Sequence, residues 1–509
     1  MTNQLKLKFS QISAFLFLIS LGVLLAVLAE IPYGGWLQIP VLSVVWWLLI
    51  KMNLRSLKNC FAAGLIFGAG YFISALWWIY ISLHDVGGMN AVLSCTAVVL
   101  LSSYMAIYFS IATLSISYFK INKLSGLVLS ASWVLAEYLR GHIFTGFPWM
   151  GFSEAQVNGP FGAIAPYLGG LGCIFFTIWT SWQLLQVSKK PFFAFTGIVC
   201  LILGAHMLSY WHFTTPIGKP FSVKLIQGNF SPSFVFMPEG ALQQIRFYSL
   251  NLSDTSADLI VAPETAFPWP TDNLPIETLN KLQQFANNTN SNLLFGAIGK
   301  QLNPSEVGEF SNRAIGLRPS APAFVYDKSH LVPFGEFIPP GFNWFIKSFN
   351  VPLSNFSRGD KNQAPFQISL NGQLPINAVV TICYEDIFGD ELATRIRNSS
   401  DEINLLINIT NLAWFGMSQA PMQQLRLSQL RSLETGLPSL RSTNTGITAI
   451  LGPDGKVLGQ LNQFTQAILN QNLQAFTGKT LYVLWGNTPI LTFSCLILLF
   501  GLYRNRYFL

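Results

Sequence analysis

Cys383 is the residue of this chain best placed to do covalent chemistry. It closes an apolar run, 378-AVVTIC-383, and is followed at once by Tyr384, Glu385 and Asp386. A lone thiol can be a silent core residue, because free cysteine is among the most buried residue types. A strand end that runs into acidic residues is also a common place for a site in α/β folds, and this setting favours a nucleophile. The other five cysteines, Cys60, Cys95, Cys173, Cys200 and Cys495, lie in apolar stretches, so Cys383 has no disulfide partner within 220–475. A free thiol has a pKa of about 8.5 and is mostly protonated at neutral pH, so attack requires a base to take its proton. The segment 220–475 offers His330, its sole histidine, or a carboxylate. One histidine and no C-x-x-C pair exclude a multi-histidine or zinc-type site, and neither a metal nor a cofactor is expected. Two further segments supply charges: 260-IVAPETAFPWP-270 with Glu264, and 326-YDKSHLVPFGEFIPP-340 with Lys328 and Glu336. Taken singly, each is read equally well as an ordinary surface charge.

The elements that must position these residues are of two textures. Of the 509 residues, 51% are hydrophobic and 10% charged, against about 25% charged in soluble domains. Apolar runs at 12–29, 36–50, 60–82, 91–118, 125–139, 161–187 and 193–211, with one more at 488–503, predict an α-helical transmembrane bundle of about eight spans. The runs 36–50 and 125–139 are shorter than the roughly 20 residues a crossing needs. No small-residue cleavage site follows the first run, which reads as a retained helix. With the N-terminus in the cytoplasm, the inner loops carry Lys6, Lys8, Lys51, Arg55, Lys58, Lys120, Lys123, Lys189 and Lys190, and the tail Arg504 and Arg506. The outer loops carry only Arg140, an asymmetry that follows the positive-inside rule. The formal charge is +7, but its basic residues sit at the ends of apolar runs and form no nucleic-acid face. Three domains are expected: 1–212 as seven spans, 220–475 outside the membrane, and 482–509 as a last span with a cytoplasmic tail. Within 220–475, strands are expected at 222–227, 258–263, 292–299, 322–327, 378–383 and 403–409, and helices at 239–252, 274–288, 390–398 and 418–434. Alternation of this kind predicts an α/β domain with helix-covered sheets.

Together, Glu264, Lys328 and Cys383, each at or just after a strand end and in that chain order, resemble the Glu-Lys-Cys triad of the nitrilase superfamily. The whole chain resembles the apolipoprotein N-acyltransferase family, on the strings 326-YDKSHLVPFGEFIP-339, 383-CYED-386, 440-LRSTNTGITAILGPDG-455 and 137-EYLRGHIFTGFPW-149. The resemblance implies a nitrilase-like αββα sandwich beside the membrane spans. It implies Glu264 as general base, Lys328 as triad lysine and Cys383 as nucleophile, with Glu336, Tyr384 and Glu385 in support. Two departures stand out. The family usually has a tryptophan shortly after Q-G-N, where 227-QGNFSPSFVF-236 has Phe236. Its N-D-A-W-F-G reads 411-NLAWFG-416 here, with Leu412 in place of the acid.

The implied reaction has two halves. Cys383 takes an acyl chain from a membrane phospholipid, and the α-amine of a diacylglyceryl-modified apolipoprotein then removes it. The resemblance also implies a bacterial inner-membrane protein with cytoplasmic termini and a periplasmic catalytic domain. Water must be kept from the thioester. The aromatic stretches 230-FSPSFVFMP-238 and 337-FIPPGFNWFIKSFNVPL-353 would serve as packed core or as a lid entering lipid, and they make Phe236, Phe342 and Trp344 candidate substrate contacts. Asn411, Trp414, Trp149 and Arg140 are further candidates. Arg140 suits a lipid phosphate, snorkelling, or an ion pair with Glu137. A membrane-tethered amidase, and a transporter or scaffold with an inactive domain, are the other classes considered. The intact triad weighs against the second.

Overall fold

The computed structural model describes residues 2–52, 56–119, 124–300, 310–341 and 355–507. The chain divides into a helical unit, Met1–Tyr80 with Asn90–His212 and Trp485–Leu509, and a sheet-rich unit, Phe213–Leu484 together with Ile81–Met89.

The long helices of the first unit are α1 (Thr2–Leu28), α2 (Gly34–Lys51), α3 (Leu57–Leu76), α4 (Ala91–Tyr118), α5 (Ser125–Arg140), α6 (Ala165–Gln186), α7 (Pro191–Leu208) and a C-terminal helix, Thr488–Tyr507. Small residues let them approach. A Cβ on Gly68 would stand 2.8 Å from that of Ala106, and one on Gly64 would stand 2.8 Å from the Cα of Ser110, so α3 and α4 pack nearly backbone to backbone, as small residues permit between membrane helices. Phe67, Tyr71, Phe72, Phe109, Trp133 and Phe152 form the aromatic centre of the bundle. Five described helices are long and apolar enough to cross a membrane: α2, α3, α4, Gly162–Gln186 and α7. The apolar helical stretches Ile12–Leu28 and Thr488–Arg504 are shorter. Helix α5 has 16 residues, a rise of about 24 Å at 1.5 Å per residue against a hydrocarbon core of about 30 Å. The run expected at 60–82 ends as a helix at Leu76. Beyond it, the polar pair His84 and Asp85 accompanies a π-helical turn, Ser82–Val86, packed against Ala413–Phe415 of the sheet-rich unit to which both belong.

The sheet-rich unit holds two sheets. The first contains β1 (Thr215–Gln227), β2 (Leu259–Val261), β3 (Phe267–Pro270), β4 (Asn292–Lys300), β5 (Phe310–Leu317), β6 (Phe324–Asp327) and the last strand, Ala467–Thr477; the order along its main path is 467–477, β1, β2, β4, β5, β6, with β3 beside β4. The second runs from Val457–Gln460 through Ala449–Leu451 and Ser439–Thr443 to β9 (Leu405–Thr410), β8 (Ile376–Ile382) and β7 (Phe366–Ile368). Inward residues of both sheets, among them Leu225, Val261, Leu294, Val380, Ile407 and Leu440, share one buried core. Helices Pro238–Ser253 and Ile276–Thr289 cover the outer face of the first sheet through Ile245, Tyr248, Leu282 and Ala286. Helices Gly389–Asn398 and Ala420–Thr435 supply Leu392, Ile396 and Leu425 to clusters on the second. This is the αββα sandwich. The last-named helix stops where Gly436 turns left-handed at φ 67°, a conformation that suits glycine at a helix end.

Candidate active site

Each residue of the expected triad sits just beyond the carboxyl end of a strand: Glu264 three residues after β2, Lys328 directly after β6, and Cys383 directly after β8. Cys383 adopts φ 52°, a left-handed conformation that costs a residue with a Cβ about 1–3 kcal/mol. The turn presents the thiol at the head of the short helical turn Cys383–Ile387. At Glu264 the close approach falls to a neighbour. A Cβ on Gly296 would lie 2.6 Å from the Cα of Glu264 and 2.5 Å from the amide nitrogen of Thr265, so only glycine on β4 leaves room for this loop.

The charges are gathered by a few short bonds. The Lys328 ammonium lies 2.8 Å from Glu336 Oε1 and 3.6 Å from Glu264 Oε1. Asn312 Nδ2 donates to both carboxylates, at 2.7 Å to Glu264 Oε1 and 2.9 Å to Glu336 Oε1. The second oxygen of Glu264 accepts the backbone N–H of Asn411 at 2.7 Å, and that of Glu336 accepts the N–H of Val332 at 2.8 Å. Glu264 is 6% exposed and Lys328 1%. Burial holds the Glu264 carboxyl above its ordinary range; Lys328, Asn312 and Asn411 pull it down, while Glu336 pushes it further up. For Lys328, burial opposes the charge but is outweighed by Glu336, Glu264 and Cys383, so the ammonium is held above its usual value. Part of Cys383 reaches the surface. Its thiol is nonetheless pushed up to about 12, first by burial and then by Glu264, with Lys328 acting the other way. The resting Cys383 is therefore a thiol, with the Glu264 carboxyl group within electrostatic reach of it.

Glu385 ties the parts together. Its Oε1 accepts the Tyr326 hydroxyl at 2.8 Å, the Ser329 N–H and hydroxyl at 2.7 Å each, and the His330 N–H at 3.1 Å, while Oε2 accepts the Ile382 N–H at 2.8 Å. The residues flanking Lys328 and the one preceding Cys383 thus hang on one carboxylate. His330 is turned elsewhere, with Nδ1 3.1 Å from Glu391 and its ring stacked 3.8 Å from Phe388. Of the two bases considered, the one within electrostatic reach of the thiol is Glu264. Tyr384 is buried, edge-on to His330 and Phe388.

The remaining candidates separate. Phe236 and Trp414 are 69% and 39% exposed with ring centroids 6.0 Å apart, an open aromatic pair. The Asn411 side chain is engaged internally, accepting from Ala413 N and Asn444 Nδ2 at 3.1 Å each. Arg140 is not an exposed phosphate fork. It is 1% exposed, donates through Nε and Nη2 to Glu137 Oε2 at 3.1 and 2.6 Å, and through Nη1 to the carbonyls of Phe147 and Trp149 at 2.6 and 2.8 Å. Trp149 is likewise buried, 5.3 Å from the ring of Trp78. Both are packed inside the helical unit, because a guanidinium leaving water needs its donors filled, and the loop that follows α5 supplies two of those partners. Phe342 and Trp344 lie outside the described residues. No group of three or more metal-ligating side chains occurs among the described residues. Asn312, with its amide between the two glutamates, and Gly296 were not singled out from the sequence. The only signal for Asn312 is a polar residue inside a strand-like run, 310-FSNRAIGL-317.

The sandwich with Glu264, Lys328 and Cys383 converging on one site defines a carbon-nitrogen hydrolase domain, and residues 225–480 match that family. Residues 22–183 match the apolipoprotein N-acyltransferase N-terminal domain. The chain is 36% identical to the apolipoprotein N-acyltransferase of Ralstonia nicotianae, over 96% of this chain and 93% of the relative. It is also 36% identical to that of Nitrosomonas europaea, over 91% and 92%. The chain belongs to the apolipoprotein N-acyltransferase family. Among solved structures it is similar to an amidase of the nitrilase superfamily from Nesterenkonia, at 17% identity over 51% of this chain and 92% of that one, with a TM-score of 0.35.

Proposed function

We propose that this membrane enzyme transfers a fatty acyl chain from a phospholipid to the α-amine of the diacylglyceryl-cysteine that begins an apolipoprotein, completing lipoprotein maturation. The observation that carries the reading is the buried Lys328 ammonium held between Glu264 and Glu336, within electrostatic reach of Cys383.

The chemistry follows from the groups. Cys383 Sγ attacks the ester carbonyl carbon as its proton passes to the Glu264 carboxylate. The carbonyl electron pair becomes an oxyanion, stabilised by the Lys328 ammonium and by the backbone N–H of Tyr384. One preorganised donor of this kind is worth about 3–4 kcal/mol of barrier. Collapse breaks the carbon–oxygen bond, and Glu264 returns the proton to the departing lysophospholipid alkoxide. The neutral amine then attacks the thioester. Glu264 accepts the amine proton, an amide forms, and the sulfur leaves as thiolate and is reprotonated by Glu264. One site serving two substrates in turn gives ping-pong kinetics.

Phe236 and Trp414, an exposed aromatic pair, are proposed to contact the acyl chain, and Phe342 and Trp344 to complete that surface as a lid. The distribution of Lys and Arg supports cytoplasmic termini and a periplasmic catalytic domain in a bacterial inner membrane. Leu374, 85% exposed in the sheet-rich unit, reports on the orientation: Leu374→Cys should react with a membrane-impermeant maleimide in cells with a permeabilised outer membrane, and protection until lysis would place the domain inside.

The decisive experiment incubates the detergent-purified protein with a bacterial phospholipid and no amine acceptor, then maps the Cys383 peptide by mass spectrometry. A hydroxylamine-labile fatty-acyl adduct that is absent in Cys383→Ala establishes the donor half. An unmodified Cys383 in folded, lipid-binding protein removes the acyl-enzyme and leaves amide hydrolysis as the activity to test.

A further inference from the structure

Beneath the nucleophile lies a row of buried polar side chains to which the reaction above assigns no role. Thr381, Asn408 and Arg441 stand side by side on β8, β9 and the parallel strand Ser439–Thr443, paired in register. Gln424, Ser428 and Asp386 face them. Arg441 is fully buried, and so are Gln424 and Ser428. Arg441 Nη1 donates to Ser428 Oγ at 2.9 Å, to Asn408 Oδ1 at 3.1 Å and to Asp386 Oδ2 at 3.3 Å. Its Nε and Nη2 find no partner among the described residues, so Asp386 does not saturate this guanidinium. Its charge reaches both Cys383 and Glu264.

Asn408 carries the polarisation onward. Its Oδ1 accepts from Arg441, and its Nδ2 donates to the main-chain carbonyl oxygen of Cys383 at 3.4 Å. Gln424 Nε2 donates to the same oxygen at 3.1 Å. The Oε1 of Gln424 has no partner among the described residues. A fully buried amide with an unpaired end is costly, and among the described residues the Gln424 side chain bonds to the nucleophile's carbonyl. That carbonyl belongs to the same planar peptide as the N–H of Tyr384. Withdrawing electron density at its oxygen makes its N–H a stronger donor, because hydrogen bonds in a chain reinforce one another in a low-dielectric interior.

We infer that Gln424 and Asn408, backed by the Arg441 charge, are positioning residues that polarise and fix the Cys383–Tyr384 peptide, and so strengthen the Tyr384 N–H as a donor to the tetrahedral oxyanion. The inference rests on the reading of Cys383 as the acylated nucleophile. It also accounts for the left-handed Cys383, since two side-chain donors hold its carbonyl in the orientation that this conformation requires.

The test uses the full-length protein in detergent, with a phospholipid whose ester carbonyls carry carbon-13. Single-turnover acylation and the isotope-edited infrared band of the thioester carbonyl are compared between the wild type and Gln424→Met, which keeps the volume and deletes the donor. Losing a whole oxyanion donor costs about 10²–10³-fold; weakening one is expected to slow acylation roughly tenfold, with the lipid concentration for half-maximal rate unchanged. The thioester band should move to higher wavenumber, which a purely structural role would not cause. An unchanged rate and band overturn the inference. Failure of the wild type to form any thioester overturns the underlying reading instead. Should Gln424→Met fail to fold, Gln424→Glu carries the test, because its carboxyl donates only when protonated. Acylation that falls more steeply than the wild type's as pH rises supports the inference, and parallel profiles overturn it.

Discussion

The helical unit and the sheet-rich unit each bury a cluster of charges, and they do so in opposite ways. In the helical unit Arg140 meets Glu137 three residues away on the same helix, and two loop carbonyls accept from its Nη1. In the sheet-rich unit Lys328 stands between two glutamates that come from separate loops. A lysine is a point charge with rotatable donors, whereas an arginine is a fixed fork. The first cluster is local, drawn from one helix and the loop that follows it. The second is assembled from residues distant in sequence, beside a thiol, with one carboxylate held away from its ordinary ionisation. In the first, the arginine holds a loop in place through the loop's carbonyls. Buried charges drawn together around the proposed nucleophile suit a step in which a proton and a negative charge move.

That contrast sets an order of expected effects. Cys383→Ala should abolish the thioester. Glu264→Gln, which keeps the shape and removes the base, should slow acylation by about 10²–10⁴-fold, the range for a lost general base, as read from single-turnover rates; a loss below tenfold would place the base elsewhere. Lys328→Met should reduce the rate about 10²–10³-fold and leave Glu264 and Glu336 facing each other without a cation.

The pH dependence gives a smaller but more pointed effect. Glu264 must be ionised to accept a proton, and its carboxyl is held above the ordinary range, so acylation should fail on acidification at a pH above that of a free glutamate. Glu336 pushes Glu264 up; Glu336→Gln should therefore move this acid limb to lower pH. A limb that stays in place, or moves up, would show that the two carboxylates do not communicate. The transfer half should instead rise through about pH 7.7–8.0, where an α-amine loses its proton. Least affected of all should be the chemistry of Arg140→Met. Removing one partner of a buried ion pair costs about 3–5 kcal/mol of stability, so the variant should melt earlier in detergent while the folded fraction acylates Cys383 at close to the wild-type rate. A specific loss of lipid affinity in that fraction would restore a phosphate-binding role.

Much of the sandwich was legible because its central strands carry their signal in short apolar runs. All six strands expected in 220–475 fall on β1, β2, β4, β6, β8 and β9. Two of the missed ones lack such runs. Ser439–Thr443 is SLRST, a fully buried strand whose middle residue is a charged arginine, and Ala467–Thr477 alternates polar residues along a sheet edge. The three residues proposed as a triad were legible as candidates because each follows a strand end. Asn312, Asn408 and Gln424 were not, because an amide in a strand or helix gives no local sign of what it meets across the core. The segment Ile81–Met89 was read as the last two residues of a span and the loop after it, and its packing against Ala413–Phe415 is a long-range contact that no periodicity reports.

The five bonds accepted by Glu385 have a mechanical consequence. Tyr326 lies on the first sheet and Ile382 on the second, so one side chain rivets the two layers at the place where lysine and nucleophile leave them. Two stacked sheets slide and breathe against each other as the core fluctuates. With the rivet in place, a shift of one layer is expected to carry the other with it where Lys328 and Cys383 leave them, so that ammonium and sulfur part less than the layers would alone. Glu385→Gln, which exchanges a charged acceptor for a neutral one at the same spot, should loosen this gauge before it unfolds the domain.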